Sequence, residues 1–112
     1  MTRVFIVENL PKLNLANLSH YGEITYLFST QHDIMTKPNC WSMEFDEEVI
    51  DRLEQHSFNP ERDYFAATGN MLIAQITIAN LVSFYGEINC LLFDTRKKVF
   101  RGRVVGGVVQ EV

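Results

Sequence analysis

The chain offers little from which to build a catalytic or metal centre. Its 112 residues include two cysteines, Cys40 and Cys90, and neither has a second cysteine at ligand spacing. That spacing argues against a zinc motif and against a disulfide framework. Met1-Thr2-Arg3-Val4-Phe5 has no signal-peptide pattern, so both thiols are expected reduced, Cys40 in a loop and Cys90 in a strand. No eighteen consecutive residues are apolar. The longest apolar run, Met71 to Tyr85, is broken by Gln75, Thr77, Asn80 and Ser83, so no membrane span is expected. A net charge of −4 gives no broad attraction to nucleic acid or to an anionic membrane. His20, His32 and His56 are dispersed, which predicts no metal site. His32 and Asp33 with Cys40 can be drawn as base, acid and nucleophile, but all that joins them is one loop. These absences predict no catalytic residues, no metal and no cofactor, and hence not an enzyme.

What is present is the patterning of one small α/β domain over residues 1–112. The hydrophobic fraction of 46% is that of a globular protein, and the length suffices for a core. The organising stretch runs from Asp63 to Thr95. A short apolar run ends at Gly69-Asn70, a long one fills Met71 to Tyr85, Gly86 stops it, and Glu87 to Thr95 carries Ile88, Leu91, Leu92 and Phe93. That is the pattern of a central βαβ unit. Strands are expected at 3–8 and 23–29, a short irregular helix at 12–21 and a helix at 46–56. Strands 87–94 and 99–105 are expected to form a C-terminal β-hairpin at the sheet edge. The whole reads as a mixed sheet of about five strands with two main helices and one short one. Residues 30–45 read as a long loop, and Gly106-Gly107 as a loosening of the chain into a flexible tail over 106–112.

Helix 71–85 carries no charged residue. On a wheel Met71, Ala74, Ile78, Leu81, Val82 and Tyr85 share one arc, and Leu72, Ile73, Ile76 and Phe84 mix with polar residues on the other side. A surface helix has a charged face, so this one is expected to be covered twice: by the sheet, and by another helix or a second copy in a homodimer. Tyr-Gly-Glu-Ile occurs at 21–24 and again at 85–88. Convergence explains the pair, with each glycine taking the left-handed position at a helix end before a strand begins.

Two places are candidates for function. Thr68, Gly69 and Asn70 lie where a strand ends and a helix begins, an edge where open α/β sheets bind small molecules or nucleotides. The plain alternative is a tight turn with Asn70 as N-cap. Arg96, Lys97, Lys98, Arg101 and Arg103 are five of the ten basic residues within eight positions, while eight of the fourteen acidic residues lie between Glu44 and Asp63. Lys97, Lys98, Arg101 and Arg103 suit docking of an acidic protein or, less well, nucleic acid. The alternative is an edge strand guarded by charge. Trp41 and Met43 read as a hydrophobic plug or, for Trp41, as an exposed contact anchor. His56 reads as a cation at a helix C-terminus.

These segments together resemble a group of small uncharacterised proteins of tailed bacteriophages. The likeness rests on Val4-Phe5-Ile6-Val7, on Tyr21-Gly22-Glu23-Ile24, on Asp63-Tyr64 leading to Gly69-Asn70, on Leu91, Phe93 and Asp94 at a strand end, and on Phe100. It spans most of residues 3–104. At the turn, the group has aspartate then proline where this chain has Asn70-Met71. The resemblance brings no activity with it. It implies a viral origin and action in the bacterial cytoplasm. The reading is therefore a non-enzymatic interaction protein that modulates a bacterial host protein, with small-molecule or nucleotide binding at 68–70 as the alternative and nucleic acid behind both.

Overall fold

A computed structural model describes residues 1–8, 15–28, 41–68 and 71–107. Among them run β1 (Arg3–Glu8), α1 (Ala16–Ser19), β2 (Glu23–Phe28), α2 (Met43–Gln55), β3 (Tyr64–Ala66), α3 (Met71–Tyr85), β4 (Glu87–Asp94) and β5 (Val99–Gly106). The five strands form one mixed sheet in the order β2-β1-β3-β4-β5. The first four are parallel, and β5 returns antiparallel to β4 with Phe93 opposite Phe100. β3, α3 and β4 make the expected βαβ unit.

The continuous apolar run of β1 follows from this order. β1 lies inside the sheet and is covered on both faces. Phe5 and Val7 enter the core beneath α2 and α3, with Phe65, Ile88 and Cys90. Val4 and Ile6 enter the opposite core, with Leu18 of α1, Ala66, Leu91 and Phe100. The chain winds left from β1 to β2, then right to β3. Right-handed crossovers therefore put α1 on one face and α2 and α3 on the other.

α2 begins three residues earlier than the acidic start at Asp46 suggests. Its end is held by a remote side chain. Ser57 sits at φ 55°, and the Phe58 N–H reaches back to the Leu53 carbonyl at 3.0 Å, which is a Schellman closure. The Arg3 guanidinium donates to the His56 carbonyl and, at 2.7 Å, to that of Ser57. The cation at this helix end is thus Arg3, not His56 as the sequence suggests; His56 packs edge-on against Phe5.

Asp63 ties the same corner together. It is fully buried, and its carboxylate accepts from Arg3 N at 3.1 Å, Arg3 Nη2 at 3.1 Å, Asn59 N at 2.9 Å and Arg62 Nε at 3.2 Å. Burial pushes its carboxyl pKa up. The Asn59 N–H, Arg62 and Arg3 outweigh that and hold it below the ordinary carboxylate value.

α3 has the predicted bounds, but its buried stripe is Ile73, Ala74, Thr77 and Leu81. The wheel misplaces Met71, which is exposed, and Ile73, which is buried. Thr77 enters the core because its hydroxyl donates to the Ile73 carbonyl at 2.8 Å. One flank meets α2, where Asn80 Nδ2 donates to Asp46 Oδ1 at 2.6 Å. The opposite ridge of Met71, Gln75, Ala79 and Ser83 is open, as is Phe84. Another helix therefore supplies only part of the expected cover.

The two Tyr-Gly-Glu-Ile segments do the same job by different means. Gly86 has φ 91°, the left-handed conformation expected. Gly22 does not. A Cβ there would lie 2.5 Å from the Thr2 carbonyl oxygen, which accepts the Glu23 N–H that starts β2. Gly106 and Gly107 tighten the chain where the sequence suggests loosening. Gly106 closes β5, and the Gly107 N–H donates to the Gly86 carbonyl at 3.1 Å. The rest of the tail, 108–112, and most of the 30–45 loop lie outside the described residues.

Candidate functional site

Parallel β2, β1, β3 and β4 bring their carboxyl ends to one edge of the molecule. α2 ends beside Arg3 at the amino edge and spans about 20 Å at 1.5 Å per residue. It therefore starts at the carboxyl edge, where Phe45 stacks on Phe28. Connectivity places Trp41, Thr68 and the Thr95–Lys98 hairpin turn at this same edge. Gly69 and Asn70 lie outside the described residues.

Four large apolar side chains are exposed on the elements that open or end here: Trp41 (79%), Met43 (85%), Met71 (69%) and Phe93 (48%). The plug reading of Trp41 and Met43 is therefore wrong. Met43 starts α2 with its side chain in solvent, as Trp41 is two residues before it, and Phe45 is the residue that enters the core.

The hairpin carries the cations. Asp94 Oδ1 accepts from Arg96 N at 2.9 Å and Lys97 N at 3.2 Å, which folds the turn. Asp94 Oδ2 pairs with Arg101 at 3.0 Å. Arg101 first, then the Lys97 N–H, hold the Asp94 carboxyl below its ordinary value. Arg101 is thus partly occupied by the hairpin itself. Arg101 and Arg103 lie opposite Leu92 and Cys90, so both leave the sheet on the α3 side, beyond the helices. Lys97, Lys98 and Arg103 are exposed, and no ion pair involves them among the described residues.

A cavity of about 280 Å³ opens on the α1 side of this edge, lined by Asn17, Thr68, Phe93, Lys98 and Phe100 among others. The structure thereby brings together Thr68 and Lys98, which the sequence assigns to two different sites. Asn17 is a wall residue the sequence reading missed. Its Oδ1 accepts the Phe100 N–H, and the Tyr21 hydroxyl donates to the Phe100 carbonyl at 3.2 Å. Asn17 and Phe100 are 83 positions apart, and no local pattern announces such a clamp. A larger open groove of about 710 Å³ lies at the opposite edge, beside Glu61, Tyr85, Gly86 and Glu87.

Cys90 is buried and free, and burial pushes its thiol up to about 11; it is an inert core residue. Among the described residues no three His, Cys, Asp or Glu side chains gather closely enough to hold a metal ion, and no helix is long and apolar enough to cross a membrane.

The family model for the Phage Pam3 gp32-like protein matches residues 2–105. The chain belongs to that family, in line with the phage resemblance carried by its turns and strand ends. No curated protein and no solved structure matches it.

Proposed function

For this member of the Phage Pam3 gp32-like family, we propose a non-enzymatic role: binding an acidic protein of the bacterial host, in the host cytoplasm, through the carboxyl edge of the sheet. The observation that carries the reading is the gathering of exposed Trp41, Met43, Met71 and Phe93 on the same edge as Lys97 and Lys98. Aromatic anchors supply most of the energy of protein interfaces, while cations at the rim set encounter rate and choice of partner. A chain of net charge −4 with half its cations in one hairpin presents an acidic partner with a single attractive place to dock.

The test is capture from host lysate by the wild type, by Trp41→Ala and by Lys97→Glu/Lys98→Glu, with bound proteins identified by mass spectrometry. One acidic protein should be retained by the wild type and lost with both variants, and its association with the purified chain should slow as salt rises. An unchanged set of captured proteins rejects this surface.

The open ridge of α3 favours a second contact, with another copy of the chain. Met71, Gln75, Ala79 and Ser83 are exposed and uncharged, which suits helix-to-helix packing. A concentration-dependent dimer in ultracentrifugation that Ala79→Glu dissolves supports it, and a monomer throughout removes it.

A further inference from the structure

We propose that the cavity between the end of β3 and the tip of the β4–β5 hairpin binds a small molecule carrying a phosphate on a planar ring, of the nucleoside monophosphate class. The site shares Phe93 and Lys98 with the protein-docking edge and is independent of Trp41, Met43, Met71 and Lys97. Sheet order and chain connectivity place it at the carboxyl ends of the strands, where open α/β sheets hold their ligands. At about 280 Å³ it lies just under the usual range of ligand pockets, which limits it to a small ligand.

The lining supplies both halves of the recognition. Phe93 stands edge-on to Phe100, with ring centroids 5.2 Å apart, and is half exposed, so it offers a face to a flat ring. The Thr68 hydroxyl and the Lys98 ammonium have no partner among the described residues. Asn17 commits its Oδ1 to Phe100 and retains its amide N–H groups. A hydroxyl, an ammonium and an amide are the donors a phosphate takes.

The backbone adds a separate pointer. Lys98 sits at φ 60°, a conformation that glycine or asparagine adopts cheaply and lysine does not. A cation at such a position, beside a cavity, points to use of its side chain.

The experiment is an NMR titration of the full chain with AMP, GMP, CMP and UMP, and in parallel with adenosine and with inorganic phosphate. At least one nucleotide should give saturable shifts at the amides of Thr68, Phe93 and Lys98. Adenosine and inorganic phosphate should each bind at least about tenfold more weakly than the best nucleotide, since each lacks one half of the contacts. Lys98→Asn should weaken nucleotide binding about tenfold, the worth of one charge-assisted hydrogen bond, yet raise the thermal midpoint, because asparagine relieves the left-handed turn. Arg103→Glu, which changes charge away from the cavity, should bind like the wild type. The proposal is overturned if no nucleotide gives saturable shifts at these amides at millimolar concentration, or if Lys98→Asn binds as tightly as the wild type. Inorganic phosphate binding as tightly as every nucleotide would overturn the planar half. Loss of binding in Arg103→Glu equal to that in Lys98→Asn would reduce it to general charge attraction.

Discussion

Replacing Asp63 by asparagine should be among the most damaging single changes in the molecule. The two side chains have nearly the same shape, so the core is not disturbed. What changes is the accounting of donors. The carboxylate accepts two N–H groups on each oxygen: Arg3 N and Arg62 Nε on Oδ1, Asn59 N and Arg3 Nη2 on Oδ2. Asparagine keeps one oxygen and can serve one of these pairs. Its NH2 group then faces the other pair, donor against donor, and the Arg3 guanidinium loses its buried counter-charge. Removing one partner of such a buried pair costs about 3–5 kcal/mol. For a chain of this length the whole stability is of order 6–17 kcal/mol, and each kcal/mol moves the melting point by about 4 °C. Asp63→Asn should therefore melt at least about 10 °C lower.

Acid gives the sharper check. The folded carboxyl titrates below its ordinary value because the Asn59 N–H, Arg62 and Arg3 overcome the effect of burial. The folded state thus binds fewer protons than the unfolded state in that window. The contribution of Asp63 is complete above the unfolded pKa and is lost as pH falls through the folded one. Urea unfolding from neutral pH into acid should show the gap between wild type and variant narrowing below the ordinary carboxylate range. A gap under about 1 kcal/mol at neutral pH, the level of an ordinary surface pair, or one that holds constant into acid, would refute this account of the corner.

Four further outcomes follow from particular positions. Gly22→Ala forces a Cβ against the Thr2 carbonyl and should cost about 1–3 kcal/mol by urea unfolding; Gly22→Asn should be no better. Gly86→Ala meets open space and should cost about 1–2 kcal/mol for its φ alone, a loss that Gly86→Asn partly recovers; equal penalties for Asn at the two sites would show that the two glycines play one role. Ser57→Gly should raise stability by about 0.5–1 kcal/mol, because glycine adopts the left-handed closure of α2 without strain, and a loss would show that the serine side chain serves the turn. Trp41→Ala should change stability by less than about 0.5 kcal/mol, as an exposed side chain does, and the fluorescence of this lone tryptophan should be quenched by acrylamide nearly as well folded as unfolded; a protected tryptophan would restore the plug.

Residues 63–95 make the fold legible because local chemistry suffices there. Gly86 must end a helix, α3 is long and apolar, and β1 is apolar without a break from Val4 to Val7, which only a strand covered on both faces tolerates. The hairpin is legible for the same reason, its turn lying between two short alternating runs. The candidate site was legible only in fragments. Thr68 and Lys98 appear in the sequence 30 positions apart, one in a strand-to-helix turn and one in a charged run, and nothing local joins them. Their shared cavity arises from the order of β3, β4 and β5, from the way β5 turns back, and from Asn17 reaching Phe100.

The division follows from range. The sequence by itself determined the elements, their bounds to within a few residues and the family, since periodicity, glycine stops and strand-end residues act over one or two turns of chain. Tertiary structure decided which of two apolar sides of α3 is buried, why Gly22 is glycine, that Arg3 closes α2, and that Trp41 stands in solvent. Each of these depends on a backbone or a charge brought from tens of residues away, where chain spacing carries no record of distance in space.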